Sequence, residues 1–376
     1  MLYLVGPNTL FLPSFMSKLS FSNPHKGLFF SVLRQRTEAY FKENQVAKTG
    51  GMPHLIKAIS LLSLYFIPYF WLLITEPSGW VAWLATVLMG FGIAGVGMCV
   101  MHDALHGSLS SHKWINRLLG SSIYFLGGNA YNWEVQHNRL HHTYTNIHEV
   151  DEDITGKFLL RLSFHDQRKG LHQFQHIYAF FLYSLMTISF LWKDFKEIYF
   201  FNALAEQKIV KPFPKKEIWI LLASKVGYIV FIGVIPAMFT SYSLGEWFLG
   251  FMTMHLVAGL ILSIIFQMAH IVEGADHPHL SENGQIENDW AIHQLQTTAN
   301  FFGTGTWFSW YVGGLDYQVE HHLFPHISHV HYPKLSAIVA QTAQEFGLTY
   351  VNHPGVRQAL KAHIQQLKNL GHRDSL

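Results

Sequence analysis

Two pairs of long apolar runs, each pair joined by a turn too short to hold anything else, constrain this chain of 376 residues most. The runs lie at about 55–74 and 80–101, then at about 218–239 and 247–269. Each can cross a hydrocarbon core of about 30 Å, which takes about 20 helical residues. The links, Thr75-Glu76-Pro77-Ser78-Gly79 and residues 240–246, allow only antiparallel neighbours. The expectation is an all-α membrane protein with four transmembrane helices in two hairpins. Gly90, Gly92, Gly95 and Gly97 in the second run permit close helix approach. Lys225, inside the third run, is expected to snorkel toward a headgroup, the alternative being a buried functional charge. Composition agrees, with 49% hydrophobic and 13% charged residues, about half the charged share of a soluble domain. The net charge of +2 singles out no acidic partner, and no nucleic acid is expected. Cys99, the single cysteine, excludes an intrachain disulfide and reads as a core or lipid-facing thiol.

The rest of the chain divides around these runs. Residues 1–24 are broken by Pro7, Pro13 and Pro24 and carry Lys18 after their apolar part, so no cleaved signal is expected, and Met16 is an alternative start. Residues 26–45 place Phe29, Phe30, Leu33, Tyr40 and Phe41 among charges, the pattern of an amphipathic interfacial helix. Between the pairs, residues 102–216 are polar. Leu118–Ala130 is too short to span, and Ile177–Trp192 reads as lying in the interface. The expected units are an N-terminal segment, 1–54, a central domain, 55–350, and a tail, 351–376. Both short links lack Lys and Arg, whereas the N-terminal segment, the 102–216 loop and the tail hold nearly all of them. By the positive-inside rule both termini and the large loop are cytoplasmic. A crossing by 177–192 would put the last part of the chain on the other side.

Histidine is the anomaly, at 25 residues against 26 Lys and Arg together. Three clusters repeat one design: His102 and His106; His137, His141 and His142; and Gln318, His321 and His322. Residues three and four apart share a helix face, about 5–6 Å between side chains. Neutral imidazole suits Fe, Zn, Cu or Ni. In each adjacent pair the second histidine points about 100° further round its helix, which suggests two metals. His270 ends the fourth run at the depth of the first cluster. His255 is 15 residues earlier, about 22 Å away at 1.5 Å per residue, and reads as structural. His293 and His326 are candidates to support ligands. Metal-bound histidines donate their other nitrogen to a carboxylate or carbonyl, a role that suits Asp103, Asp153 and Asp316.

The stretches HDALHG at 102–107, WEVQHNRLHHTYTN at 133–146 with DED at 151–153, and GGLDYQVEHHLFP at 313–325 resemble the membrane fatty acid desaturases. Glutamine in place of the first histidine of the third box resembles the front-end branch, which acts between an existing double bond and the carboxyl end. The resemblance covers roughly residues 26–350 and implies a cytoplasmic helical cap over the spans, holding a histidine-ligated non-haem di-iron site. Its implied ligands are His102, His106, His137, His141, His142, His321 and His322, with His270, and Gln318 as a weak or water-mediated one. The implied chemistry uses O2 to remove two hydrogens from an acyl lipid or acyl-CoA. Trp133 and Trp307, with Phe308 and Trp310, are expected at the mouth of an apolar tunnel lined by the second and fourth spans, interfacial anchoring being the equal alternative for the tryptophans. Many front-end desaturases carry a fused cytochrome b5 domain with a haem-binding HPGG. Here His353-Pro354-Gly355 precedes Val356 and reads as coincidence, so a separate ferredoxin or cytochrome b5 is implied as electron donor. The likeness to stand-alone, bacterial-type desaturases implies a bacterial inner membrane rather than the endoplasmic reticulum. The alternatives are a hydroxylase on the same scaffold and, in a different class, a membrane metal transporter, which would need its ligands at the bilayer midplane.

Overall fold

The computed structural model describes residues 19–154, 158–281 and 283–373. The readings of a missing signal and of Met16 concern residues outside these. A two-residue strand β1 (Ser20–Phe21) pairs in parallel with β2 (Gln285–Ile286), and nearly all other regular structure is helical. In chain order come α1 (Leu28–Asn44), α2 (Gly51–Thr75), α3 (Gly79–Leu105), α4 (Lys113–Gly120) and α5 (residues 130–144). Next are α6 (Gln175–Ser184), α7 (Met186–Glu206), α8 (Lys215–Phe239) and α9 (Leu244–His270). The last group is α10 (Trp290–Thr297), α11 (Thr306–Tyr311), α12 (Gln318–Leu323), α13 (Tyr332–Glu345) and α14 (Val356–His372).

Among the described residues four single helices, α2, α3, α8 and α9, are long and apolar enough to cross a membrane. α3 packs between α2 and α9, and glycine sets that approach. A Cβ at Gly92 would meet the Tyr65 backbone nitrogen at 2.6 Å, and one at Gly90 would meet Val257 Cβ at 2.7 Å. A capping box starts α9: Ser243 N donates to Glu246 Oε2 at 2.9 Å and Ser243 Oγ accepts from Glu246 N at 3.3 Å. The borderline stretch Ile177–Trp192 falls on α6 and α7, which meet at a 78° bend around Leu185.

Three parts of the chain depart from the sequence reading. Lys225 does not snorkel. It is buried, pairs with Asp194 of α7, and donates to the carbonyls of Gly127 at 2.5 Å and Phe190 at 2.7 Å. With a carboxylate and two carbonyls on its ammonium, no donor is left to seek a headgroup. The apolar face of α1 is not free for lipid either. Phe29, Leu33 and Phe41 pack with Leu295 of α10, Val319 of α12 and Leu335 of α13, and Arg36 reaches Glu345 at 2.6 Å. Finally, α14 does not trail away. Its His363 sits between Tyr183 Oη at 3.0 Å and the Ile271 carbonyl at 2.7 Å, and Leu367 and Leu370 join the core beside Leu182. His353 rests on the Glu273 carbonyl at 3.1 Å.

Candidate metal centre

Eight histidines from four helices converge at one end of the apolar spans. α3 ends at His102 and His106; α5 brings His137, His141 and His142; His270 is the last residue of α9; α12 brings His321 and His322. Ligand atoms of His102, His106, His137 and His321 lie within 4.8 Å of one another, as do those of His141, His270 and His322. His142 stands between the groups, its ring 4.6 Å from that of His321 and 4.3 Å from that of His322. The adjacent pair His321 and His322 thus divides between the groups.

The second box divides differently from α-helical spacing. Residues Glu134–His141 wind as a π-helix, in which the bond runs from i to i+5. That turn brings His137 over His142, with their Nε2 atoms 3.1 Å apart, and sends His141 to the other group. A second π turn, Val96–Met101, precedes His102. Two imidazole lone pairs facing each other at such range call for a cation or a proton between them.

The outward nitrogens are held and the inward ones are not. His102 Nδ1 donates to Asp103 at 3.0 Å, His141 Nδ1 to Asp151 at 3.0 Å, and His322 Nδ1 to Gln294 Oε1 at 2.8 Å. His321 Nδ1 lies 3.3 Å from Tyr332 Oη, and His270 Nδ1 lies 3.4 Å from the Thr297 carbonyl. The Nε2 atoms of His106, His141, His270, His321 and His322 are buried with no hydrogen-bond partner. Buried polar atoms are rarely orphaned. An inward set of five bare nitrogens, four of them on rings anchored from outside, fits transition-metal ions. Burial holds His106, His137, His142, His321 and His322 well below the ordinary histidine range, as free bases ready to ligate. His141 differs. Burial would lower it too, but the Asp151 carboxylate holds it above the usual value.

The expected supporting carboxylates sort unevenly. Asp103 takes its place against His102. Asp153 stands 3.7 Å from His141 and accepts from Gln136 at 2.7 Å, so Asp151 is the nearer anchor. Asp316 accepts from Ser309 Oγ instead of a histidine, because the turn before α12 aims it at α11. Glu320 faces away, accepting from Asn300 and Tyr350 at 2.9 Å each, and burial pushes it up to about 8. His293 packs against Phe21, its ring nitrogens without partners, and the neighbouring Gln294 touches the ligand. His326 has the Lys48 and Glu38 charges beside it. His255 lies outside both groups, with Nε2 2.6 Å from Tyr228 Oη and Nδ1 3.0 Å from Thr187 Oγ1. Gln294 and Tyr332 carry no signal in the sequence, and Asp151 stands there only as one of the acids flanking the boxes, in the DED triplet.

A cavity of about 200 Å³ opens on the first group. His102, His137 and His321 line it beside Gln318, whose amide oxygen is buried without a partner. Met98 and Met101 of α3 and Leu262 and Phe266 of α9 form much of its apolar wall, as expected of the second and fourth spans. Trp133 lines it and stacks on His137 at 4.4 Å. Trp307 does not: it is 82% exposed and packs on Trp310, because α11 carries both on its outer side.

The fatty acid desaturase family profile matches residues 78–354. The chain is 33% identical to an sn-1 linoleoyl-lipid 6-desaturase of Arthrospira platensis over 91% of its length and 92% of that protein. It is 32% identical to the protein of the same description from Synechocystis sp., over 91% and 95% of the two chains. An acyl-lipid (8-3)-desaturase of Physcomitrium patens is 33% identical over 94% of this chain and 74% of its own. With its three histidine boxes drawn to one centre at the end of an apolar cavity, the chain belongs to the fatty acid desaturase family and is a desaturase enzyme.

Proposed function

We propose that the protein introduces a double bond into a lipid-linked acyl chain, on the carboxyl side of an existing one, at a pair of irons. The observation that carries this reading is the set of bare Nε2 atoms beside an apolar cavity that His102, His137 and His321 line. The relatives named for acyl-lipid and linoleoyl-lipid substrates support a lipid carrier rather than a thioester. In this reading His102, His106, His137 and His321 hold one iron, His141, His270 and His322 the other, and His142 lies between them. The irons, when bound, supply the O2 chemistry that removes two hydrogens from neighbouring carbons.

The chain's own residues supply placement. The cavity wall of Met98, Met101, Leu262 and Phe266 takes up the acyl chain and excludes water. Trp133 presses His137 from one side and the substrate from the other. Asp103, Asp151 and Gln294 keep the outer nitrogens protonated, so the inner lone pairs stay aimed at the metals. The spans form two hairpins with both termini and the histidine cap on the cytoplasmic side of a bacterial inner membrane. Electrons come from a separate ferredoxin or cytochrome b5. The charge pattern of the loops and the cyanobacterial relatives support this arrangement.

The test is expression in a host fed defined acyl chains, with double-bond positions read by mass spectrometry. A new double bond nearer the carboxyl end than the existing one, in lipid-esterified chains, is expected. A hydroxylated product, or a chain that purifies with zinc and consumes no O2, would overturn the reading.

A further inference from the structure

Behind the first box lies a second convergence of polar groups, deep in the protein, in which residues outside the boxes gather on Asp103 of that box. Asp103 Oδ1 accepts from His102 Nδ1 at 3.0 Å, and Asp103 Oδ2 accepts from His329 Nδ1 at 2.6 Å. His54 Nε2 lies 2.9 Å from the same Oδ2, and its Nδ1 is 3.1 Å from Ser328 Oγ. Lys57 Nζ, from one turn further along α2, sits 3.0 Å from His329 Nε2. His54, Lys57, Asp103 and His329 are all buried.

By spacing alone His54, Asp103 and His329 could grip an ion. Lys57 argues against it. An ammonium next to His329 would repel a cation, and the imidazole nitrogen nearest Asp103 already carries the proton that bonds it. The ammonium also decides more than its own contact. It has only donors, so His329 Nε2 must accept, which puts the ring proton on Nδ1. Asp103, a carboxylate with only acceptor oxygens, takes that proton's bond and that of His102 Nδ1. The bare nitrogen left on His102 is Nε2, and its ring packs against those of His106, His137 and His321. The hydrogen bonds that run from Lys57 through His329 and Asp103 to His102 therefore point in one direction, fixed by one buried cation.

We propose that Lys57, through His329 and Asp103, is a positioning residue for His102: it locks the tautomer of that ligand and balances the charge behind it. The effect falls on one metal position, that of His102, His106, His137 and His321, and spares the other. This rests on the reading of those histidines as metal ligands. Without Lys57, His329 is free to take its other tautomer, which turns a lone pair toward Asp103. The carboxylate also loses its counter-charge and pulls harder on the His102 proton. Loss of an outer partner of a metal-bound histidine costs about 10–100-fold in metal affinity.

The experiment uses the full-length protein, measuring iron per chain and the Mössbauer spectrum of the iron-loaded form. Wild type is expected to hold two irons with separable signals. Lys57→Met should shift one signal and weaken iron binding there by about 10–100-fold, leaving the other in place. Lys57→Arg, which keeps a buried cation with donors, should restore the first signal. Should Lys57→Met not fold, the paired exchange of Lys57→Met with His329→Phe removes both partners together and should give the same one-sided shift. Signals that move together, or do not move, would overturn the proposal. Wild type without iron would instead overturn the metal reading beneath it.

Discussion

The two groups of histidines differ in what surrounds them. His102, His137 and His321 form part of the cavity wall, while His141, His270 and His322 do not line it. Their anchors differ as well. The cavity-facing group leans on Asp103, backed by Lys57 through His329, and on Tyr332. The enclosed group leans on Asp151, Gln294 and a backbone carbonyl. Three boxes that look alike in sequence thus build two unequal positions. One borders the apolar cavity, and the other is enclosed away from it.

The sharpest way to break this comparison is to remove a ligand from the enclosed side. His322→Ala should cut desaturation by more than the roughly 100-fold that an outer partner can account for, while iron per chain falls by about half rather than to nothing. Loss of all iron would show the two groups to be one cooperative site. A smaller effect is expected from the anchors. Asp151→Asn should weaken iron binding at the enclosed position by about 10–100-fold, and Asp153→Asn should do clearly less, as read by metal titration. Equal losses would mean that the two carboxylates share His141.

Acid gives the smallest effect, and its sign follows from the environments. Five imidazoles of the centre that lie outside the spans, His106, His137, His142, His321 and His322, are held well below the ordinary value by burial. The unfolded chain would protonate them near pH ~6.5, whereas the folded chain resists. Stability of the metal-free protein is therefore full above about pH 6.5 and falls as the pH drops below it. His141, raised by Asp151, works the other way: it adds stability below about pH 6.5 and loses it as pH rises through its folded value. Five lowered groups outweigh one raised group, so thermal unfolding should shift to lower temperature on acidification. A flat profile would show that water reaches the imidazoles.

The sequence carries the spans and the boxes openly, because hydropathy and helical spacing are local signals. His270 could be placed because a span of known rise fixes its depth. The split of the second box could not, since π winding at Glu134–His141 shows no mark in residue type. The choice of Asp151 over Asp153 needed the distances of 3.0 and 3.7 Å. Lys225 illustrates the same limit. A lysine in an apolar run suggests snorkelling until α7 is seen to bring Asp194 beside it. Gln294, Tyr332 and Trp307 likewise depended on contacts between distant segments, which no single window of sequence contains.

Two of the helices long and apolar enough to cross a membrane end on proposed ligands: α3 runs into His102 and α9 stops at His270. No flexible linker separates lipid-embedded backbone from coordinating side chain on either of them. With those ligands in place, the height of the proposed metal positions is geared to bilayer thickness, and a host with thinner or thicker leaflets would tilt these rods and slide the acyl chain past them. Membrane composition would then act as a ruler for the enzyme, offsetting its cut along the fatty tail.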